Sequence, residues 1–203
     1  MKHLWLIVLV AMAGCVDLKA SYPDRRFYTL EATRSGSARV APLGSILRVK
    51  RFTATRLSEG SELVSRNGDA VYDSDFYNVF FVPPALQVTE QTQRWLGGSS
   101  LFEHVVGTGS SIPETHVLDG NLIALHGDQR HPQAPAAVLE AQFMLVNVSV
   151  DPSAVLFQKT YRRQIPLMKD NPESIVLGLS DGLAGILAAL EEDLSKVDRT
   201  PGR

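Results

Sequence analysis

The sequence predicts an α+β fold, a single domain in which two helices pack on an antiparallel or mixed sheet. Alternating apolar and polar residues, typical of half-buried strands, occur both before and after a first helical segment. A second helical segment, with leucines at three- and four-residue spacing, lies near the end of the chain. A chain of 203 residues with 44% hydrophobic content can build one sizeable core, and it requires no second domain.

The N-terminal part of the folded domain is predicted to consist of short strands. Residues 26–31 and 46–53 alternate in polarity, and a loop rich in serine and glycine joins them. Asn67-Gly68 is a dipeptide that accepts positive φ at both central positions of a turn. It therefore predicts a tight hairpin between residues 62–66 and 70–72.

The first helix is predicted to open at Pro83-Pro84, because the missing N–H of proline has no partner to lose in a first turn. The helix should run to Leu96 and be closed by Gly97-Gly98. An aromatic run comes directly before it. For this run, core packing is favoured over an exposed binding surface; its members are Phe76, Tyr77, Phe80 and Phe81.

The second half of the chain is predicted to form an antiparallel meander. After a short strand at residues 102–106, three longer stretches of period two follow at 115–126, 136–150 and 154–165. Proline-bearing or polar connections separate them, and residues 127–135 read as a mobile hairpin loop.

The last helix has the clearest helical pattern. Asn171 can cap it, Pro172 suits its first position, and apolar residues recur as far as Leu194. A glycine inside a helix costs about 1 kcal/mol relative to alanine, so a surface should come close where glycines share one side. The glycines on that side are Gly178, Gly182 and Gly185. Packing on the domain's own sheet is favoured over contact with a second subunit, and a homo-oligomer is the alternative.

The N-terminus has the character of a secretory signal. Lys2 and His3 precede an unbroken apolar run of ten residues, 4–13. A membrane-spanning helix needs about 20 apolar residues, so this run is too short to serve as a permanent anchor. Residues 1–14 are therefore predicted to be a signal peptide that is removed.

Cys15, the only cysteine of the chain, follows Met12-Ala13-Gly14, which resembles the lipobox of bacterial lipoproteins with methionine in place of the preferred leucine. The resemblance implies that a diacylglycerol is attached to the thiol, that the signal is cut before Cys15 and that the freed amine is acylated. Each buried methylene contributes about 0.8 kcal/mol, so two or three chains hold the protein permanently. The alternative is a plain signal peptide with an incidental cysteine.

The predicted organisation is thus a lipidated N-terminus and tether over residues 15–25, a folded domain over 26–197 and a flexible tail over 198–203. In the enterobacterial sorting rule, an aspartate directly after the lipidated cysteine retains a lipoprotein at the inner membrane. Val16 occupies that position, which favours a periplasm-facing protein in the outer membrane.

Composition and motifs argue against several functions. The net charge of −2 offers no footprint for nucleic acid. The sequence lacks a nucleophile elbow and a Walker A loop, so a hydrolase has no recognisable nucleophile. His126 lies directly before the loop at 127–135 and His131 lies within it. For both histidines, solvated loop residues are favoured over a metal or base site. We therefore expect no catalytic residue, no metal site, no bound cofactor and no enzymatic activity.

Several short patterns follow one another in a characteristic order and spacing along the chain: Phe27-Tyr28-Thr29-Leu30, Leu63-Val64-Ser65-Arg66 before Tyr72, Trp95-Leu96, Ser100-Leu101-Phe102 before Val105, and Leu118-Asp119-Gly120. With the lipobox and the final amphipathic helix, this order resembles the ABC-type transport auxiliary lipoproteins, the PqiC-like group associated with MCE-domain lipid transporters.

The resemblance implies an auxiliary subunit without catalytic residues. Its partners would be MCE-domain proteins and the ABC permease and ATPase of the same system, which it would link to the outer membrane. The alternative is a periplasmic carrier that itself binds a lipid between helix and sheet. A large cavity lined by Leu179, Leu183 and Leu187 would favour the carrier, and a filled core would favour docking.

Overall fold

The computed structural model describes residues 24–201. The predicted signal peptide at 1–14 and the predicted lipid attachment site Cys15 lie outside the described residues. The strands are β1 (Arg26–Tyr28), β2 (Ile46–Val49), β3 (Thr53–Ala54), β4 (Glu62–Arg66), β5 (Tyr72–Phe80), β6 (His104–Val106), β7 (His116–Asp128), β8 (Ala136–Asn147) and β9 (Ala154–Pro166). The helices are α1 (Pro84–Ser99) and α2 (Pro172–Ser195), and a 3₁₀ turn spans Arg56–Ser58.

Strand β7 organises the sheet. One of its edges pairs antiparallel with β8, which pairs antiparallel with β9, so the predicted meander is confirmed. Its other edge receives β2, β3 and β4 in succession, all parallel. Beyond them lie β6 beside β2, β5 beside β4 and β1 beside β5. The sheet is therefore mixed, and β1 and β9 occupy opposite edges.

Both helices cover the sheet, which confirms the predicted α+β class. Helix α2 packs on β8 and β9, while α1 packs beside α2 and against β2, β6 and β7. The buried leucines of α2 and the inward residues of β8 belong to one continuous core. The other face of the meander carries ion pairs such as Lys50–Asp119 and Arg162–Glu140. A single core with one solvated sheet face follows.

Helix α2 begins as predicted. Asn171 has extended backbone geometry, and its side-chain oxygen accepts the backbone N–H of Ser174 at 2.8 Å. Helix α1 differs from the prediction, because it continues through Gly97-Gly98 to Ser99. Ser99 is fully buried, and the left-handed residue that ends the helix is Ser100, with φ of 53°.

Strands β1 and β2 end earlier than predicted because side chains of α1 take over their backbone hydrogen bonds. Gln87 accepts the N–H of Leu30 at 2.6 Å, and Gln91 donates to the carbonyl of Leu30 at 3.0 Å. Thr89 accepts the N–H of Phe52 at 3.0 Å. At Leu30 and Phe52 the backbone therefore bonds to side chains of a helix rather than to a strand.

The hairpin between β4 and β5 exists, but its turn is not the predicted one. Arg66 pairs with Tyr72, and the N–H of Asn67 donates to the carbonyl of Val71 at 3.0 Å. Within residues 24–201, positive φ occurs at Gly36, Gly44 and Ser100, so neither Asn67 nor Gly68 adopts it. A longer loop, 67–71, replaces the tight turn.

Within the described part of the chain, α2 is long and apolar enough to cross a membrane by length and composition alone. Half of its most apolar window is buried in the protein. The buried side chains include Leu179, Leu183, Leu187 and Leu190, each fully covered. This burial is what the core helix of a globular domain shows.

The segment after α2, predicted as the start of a flexible tail, is anchored at Arg199. Its side chain is only 9% exposed. It donates to the carbonyls of Leu101 at 3.1 Å, of Val197 at 2.7 Å and of Leu194. Because Leu194 lies in the last turn of α2, the guanidinium adds a second hydrogen bond to a carbonyl that also accepts the N–H of Val197 at 3.3 Å.

Candidate functional site

A bulge in β5 turns Phe76 towards the surface. Between Glu62 and Leu63 of β4, the pairing on β5 jumps from Val79 to Asp75, which leaves residues 76–78 without a partner on β4. The carboxylate of Asp75 accepts the backbone N–H groups of residues 77 and 78 at 2.9 and 3.0 Å. The side chain thus satisfies donors that the bulge leaves free.

Phe27, Phe76 and Phe81 form an exposed cluster with Arg25, which we call the aromatic surface. The three rings are 58%, 63% and 70% exposed, and they are the exposed phenylalanines of residues 24–201. The rings of Phe27 and Phe81 meet edge to face, with centroids 6.0 Å apart. The guanidinium of Arg25 lies 5.9 Å from the ring centre of Phe27 and 4.8 Å from that of Phe76.

Backbone contacts hold the aromatic surface in place. Arg25 Nε donates to the carbonyl of Phe76 at 3.1 Å, and the N–H of Phe81 donates to the carbonyl of Tyr28 at 2.8 Å. Parallel pairing of Phe27 with Val79 brings β1 alongside β5. The cluster therefore belongs to the sheet and is not a loose loop.

The expectation of core packing for the aromatic run is wrong for two of its members. Phe80 is 2% exposed and belongs to the core, and Tyr77 is half-buried, whereas Phe76 and Phe81 face outward. The bulge explains Phe76, and Phe81 lies just past the end of β5. Sequence reasoning missed Phe27 and Arg25 as members, because only the pairing of β1 with β5 brings them there.

His126 is not a solvated loop residue, because β7 continues to Asp128 and encloses it. His126 is 6% exposed, and burial lowers its pKa to about 4. His131 is exposed in the following loop, so the structure separates the two histidines by environment. Among residues 24–201, no group of three or more possible metal-ligating side chains comes together.

A cavity of about 200 Å³ on the face of the sheet away from α2 is lined by Ser58, Tyr72, His126, Glu140 and Arg162, among others. Ser58 Oγ and His126 Nε2 are buried there without hydrogen-bond partners. A nucleophilic serine needs a hydrogen bond to its base, and this pair has none. Ser58 and His126 are therefore not joined by a nucleophile–base hydrogen bond in this structure.

The space between α2 and the sheet is filled. Leu179, Leu183 and Leu187, the residues expected to line a carrier's cavity, are fully buried in the core. A cavity of about 540 Å³ lies beside the first turn of α2, and its walls combine polar residues such as Asp73 with the apolar side chains of Phe76 and Ile175. The filled core at the three leucines is the outcome expected for docking.

The glycines of α2 face the domain's own sheet, as favoured from the sequence. A Cβ atom on Gly178 would lie 2.7 Å from Leu167 Cδ2 and 2.8 Å from Ala137 Cβ. At Gly182 and Gly185, the nearest atoms of β8 and β9 would be 3.6 and 3.4 Å away. Only Gly178 is strictly required by this contact, because nonbonded carbon atoms do not approach so closely.

Several residues of the short patterns that carried the family resemblance lie at packing positions, whereas Phe27 belongs to the aromatic surface. Leu63, Trp95, Leu96 and Leu118 are all at most 4% exposed. A Cβ on Gly120 would lie 2.5 Å from the ring of Phe52. These residues therefore report on the fold and do not mark a site of chemistry.

Solved structures share this fold. A protein from Xanthomonas campestris described as DUF330 matches with a TM-score of 0.66 and 16% identity, over 81% of this chain and 92% of that protein. An uncharacterized protein matches with a TM-score of 0.68 and 15% identity, over 85% of this chain and 99% of that protein. Hypothetical protein CT253 from Chlamydia trachomatis matches with a TM-score of 0.52 and 10% identity, over 74% of this chain and 97% of that protein. No sequence-family model and no curated protein matches the chain.

Proposed function

We propose that this protein is a lipid-anchored, periplasm-facing subunit without catalytic activity, which links an MCE/ABC-type lipid transport system to the outer membrane. The observation that carries the proposal is the single cysteine, Cys15, placed where the apolar run and the small residues both end. The fold shared with a DUF330 protein is compatible with it. MCE-domain proteins and the ABC permease and ATPase are the proposed partners.

The described part of the structure supports docking rather than transport of a bound lipid. The core beneath α2 is filled, and a carrier would need an apolar cavity there. An exposed surface at the start of the folded domain instead offers a place for contact outside the chain. Acyl chains at the N-terminus and a rigid domain behind it are what an attachment subunit needs.

Removal of the lipid site tests the anchor directly. Cys15→Ser should leave an uncleaved precursor that carries no diacylglycerol, since the thiol that receives it is gone. Mass spectrometry of the N-terminal peptide and flotation of membranes should show the loss of both processing and lipid. A wild-type protein with an unmodified Cys15 would refute the anchor.

Purification from membranes tests the partners. Wild-type protein should retain MCE-domain and ABC components in mild detergent, as identified by mass spectrometry. Purification of a soluble lipid complex without those components would support the carrier instead.

A further inference from the structure

The aromatic surface exposes three phenylalanine rings in one place. Their exposed fractions range from 58% to 70%. Exposure to water is unfavourable for each ring, because burial of apolar surface stabilises a protein. The sheet and Arg25 hold the rings outward. An exposed aromatic cluster of this kind is typical of an interaction surface.

The aromatic surface lies where the predicted lipid-bearing segment enters the fold. Arg25 follows Cys15 by ten residues, so the chain between them spans at most about 35 Å. A bilayer that holds Cys15 therefore remains close to the aromatic surface at all times. Tethering of this kind raises the effective concentration of the second contact to the millimolar range, so a weak contact is sufficient.

The side chains fit the interface of a phospholipid bilayer. Phenylalanine rings can enter the boundary between headgroups and acyl chains, and arginine can place its stem on apolar surface while its guanidinium meets phosphate. Arg25 lies over two of the rings, and Arg26 next to it is exposed. Basic residues near the surface also favour anionic lipids.

We propose that the aromatic surface of Phe27, Phe76 and Phe81, with Arg25, rests on the headgroup region of the bilayer that holds Cys15. The proposal deepens the proposed function and depends on its lipid anchor. It gives the domain a defined orientation, with β1 and β5 towards the membrane and the opposite sheet edge, β9, away from it. A partner would then approach from the β9 side.

A fluorescent label can measure this contact in the full-length, lipidated protein. Because Cys15 is the only cysteine and would be acylated, Phe76→Cys supplies a single free thiol for an NBD label. The matched control is Val155→Cys, since Val155 is also exposed, at 60%, and lies on β9. Both proteins are reconstituted in vesicles of phosphatidylethanolamine and phosphatidylglycerol, with and without doxyl-labelled lipid.

We expect the label at position 76 to shift its emission to the blue and to be quenched by doxyl lipid. The label at position 155 should do neither. Equal, water-like emission at both positions would overturn the proposal. A blue shift at position 76 without doxyl quenching, together with oligomers in cross-linking, would also overturn it and identify a second copy of the chain as the occupant.

Failure of the anchor is distinguishable from failure of the surface. An unacylated Cys15 would take up a second label, which mass spectrometry detects, and this result would refute the proposed function. Phe76→Cys protein produced as residues 16–203, without the apolar signal and without Cys15, that is blue-shifted and quenched by vesicles containing doxyl lipid would still support membrane contact by the aromatic surface. Emission that does not respond to these vesicles, combined with an unacylated wild type, would overturn both proposals.

Discussion

At the scale of single residues, two buried histidines set a dependence of stability on pH. His116 is fully buried and His126 is 6% exposed, and each has an Nε2 atom without a partner. Burial lowers the pKa of both to about 4, with smaller contributions from nearby charges: Arg199 and Asp198 for His116, and Asp128, Arg162, Arg66 and Arg130 for His126. Both side chains are therefore neutral in the folded state near pH 7.

Protonation of the buried histidines should destabilise the folded protein as the pH falls. A histidine in the unfolded chain binds its proton near pH 6.5, whereas folded His126 binds it only near pH 4. Between these values the unfolded state holds the extra proton, so stability falls as the pH is lowered from 6.5 to 4. Urea unfolding at several pH values should show a loss of about 3 kcal/mol per buried histidine.

His126→Leu should remove about half of that pH dependence, because His116 still contributes. His131→Gln serves as the control and should keep the whole slope, since His131 is exposed. The Asp128–Arg130 ion pair contributes little to the change in stability between pH 6.5 and 4. Arg130 lowers the pKa of Asp128 to about 2, so that contribution is lost only at lower pH. Equal slopes in the wild type and His126→Leu would contradict the assignment.

At the scale of elements, contact with the sheet divides the glycines of α2 into two kinds. At Gly178, Ala137 Cβ on β8 would be only 2.8 Å from an added methyl group, and it is fixed to the backbone. At Gly182, the nearest neighbour would be Arg163 Cβ at 3.6 Å, an ordinary contact distance. The same substitution should therefore have opposite effects at the two positions.

We expect Gly178→Ala to lower the free energy of unfolding by about 1–3 kcal/mol, because helix and sheet must move apart. Gly182→Ala should raise it by up to about 1 kcal/mol, because alanine favours the helix and has room. Thermal and urea unfolding measure both changes. Gly97→Ala is a further control, since no atom would lie within 4 Å of the added group. Destabilisation by Gly182→Ala would show that the sheet is closer to α2 than the structure has it.

At the scale of the whole molecule, the described residues form one continuous core with cavities of mixed polar and apolar lining at its margins. Ser58 and His126 line the same cavity, yet neither Ser58 Oγ nor His126 Nε2 finds a hydrogen-bond partner. No orienting hydrogen bond prepares that serine for attack. The absence of catalytic activity is a prediction, and this cavity is the place at which it is tested.

Purified protein should therefore hydrolyse neither nucleotides nor model esters above the background rate. The measurement uses wild-type protein beside Ser58→Ala and His126→Ala. Activity in the wild type that both substitutions abolish would show that the cavity is a catalytic site. Activity that persists in both variants would point to a contaminating enzyme.

The sequence by itself determined the elements whose signals are local. The meander was recognisable because alternation reports which face of each strand is buried. Helix α2 was recognisable because Asn171, Pro172 and the leucine spacing all agree. The signal run and Cys15 are also local features, and the lipid anchor inferred from them stays a prediction.

Only the tertiary structure decided what depends on residues far apart in the chain. The aromatic surface joins Phe27 to Phe76 through parallel pairing of β1 with β5 and a bulge at 76–78. The burial of His126 depends on β7 continuing into pairs with both β4 and β8. Local patterns record the periodicity of one segment, whereas partners, bulges and burial are set by contacts between segments. The residues proposed to touch the membrane therefore became visible only in the assembled sheet.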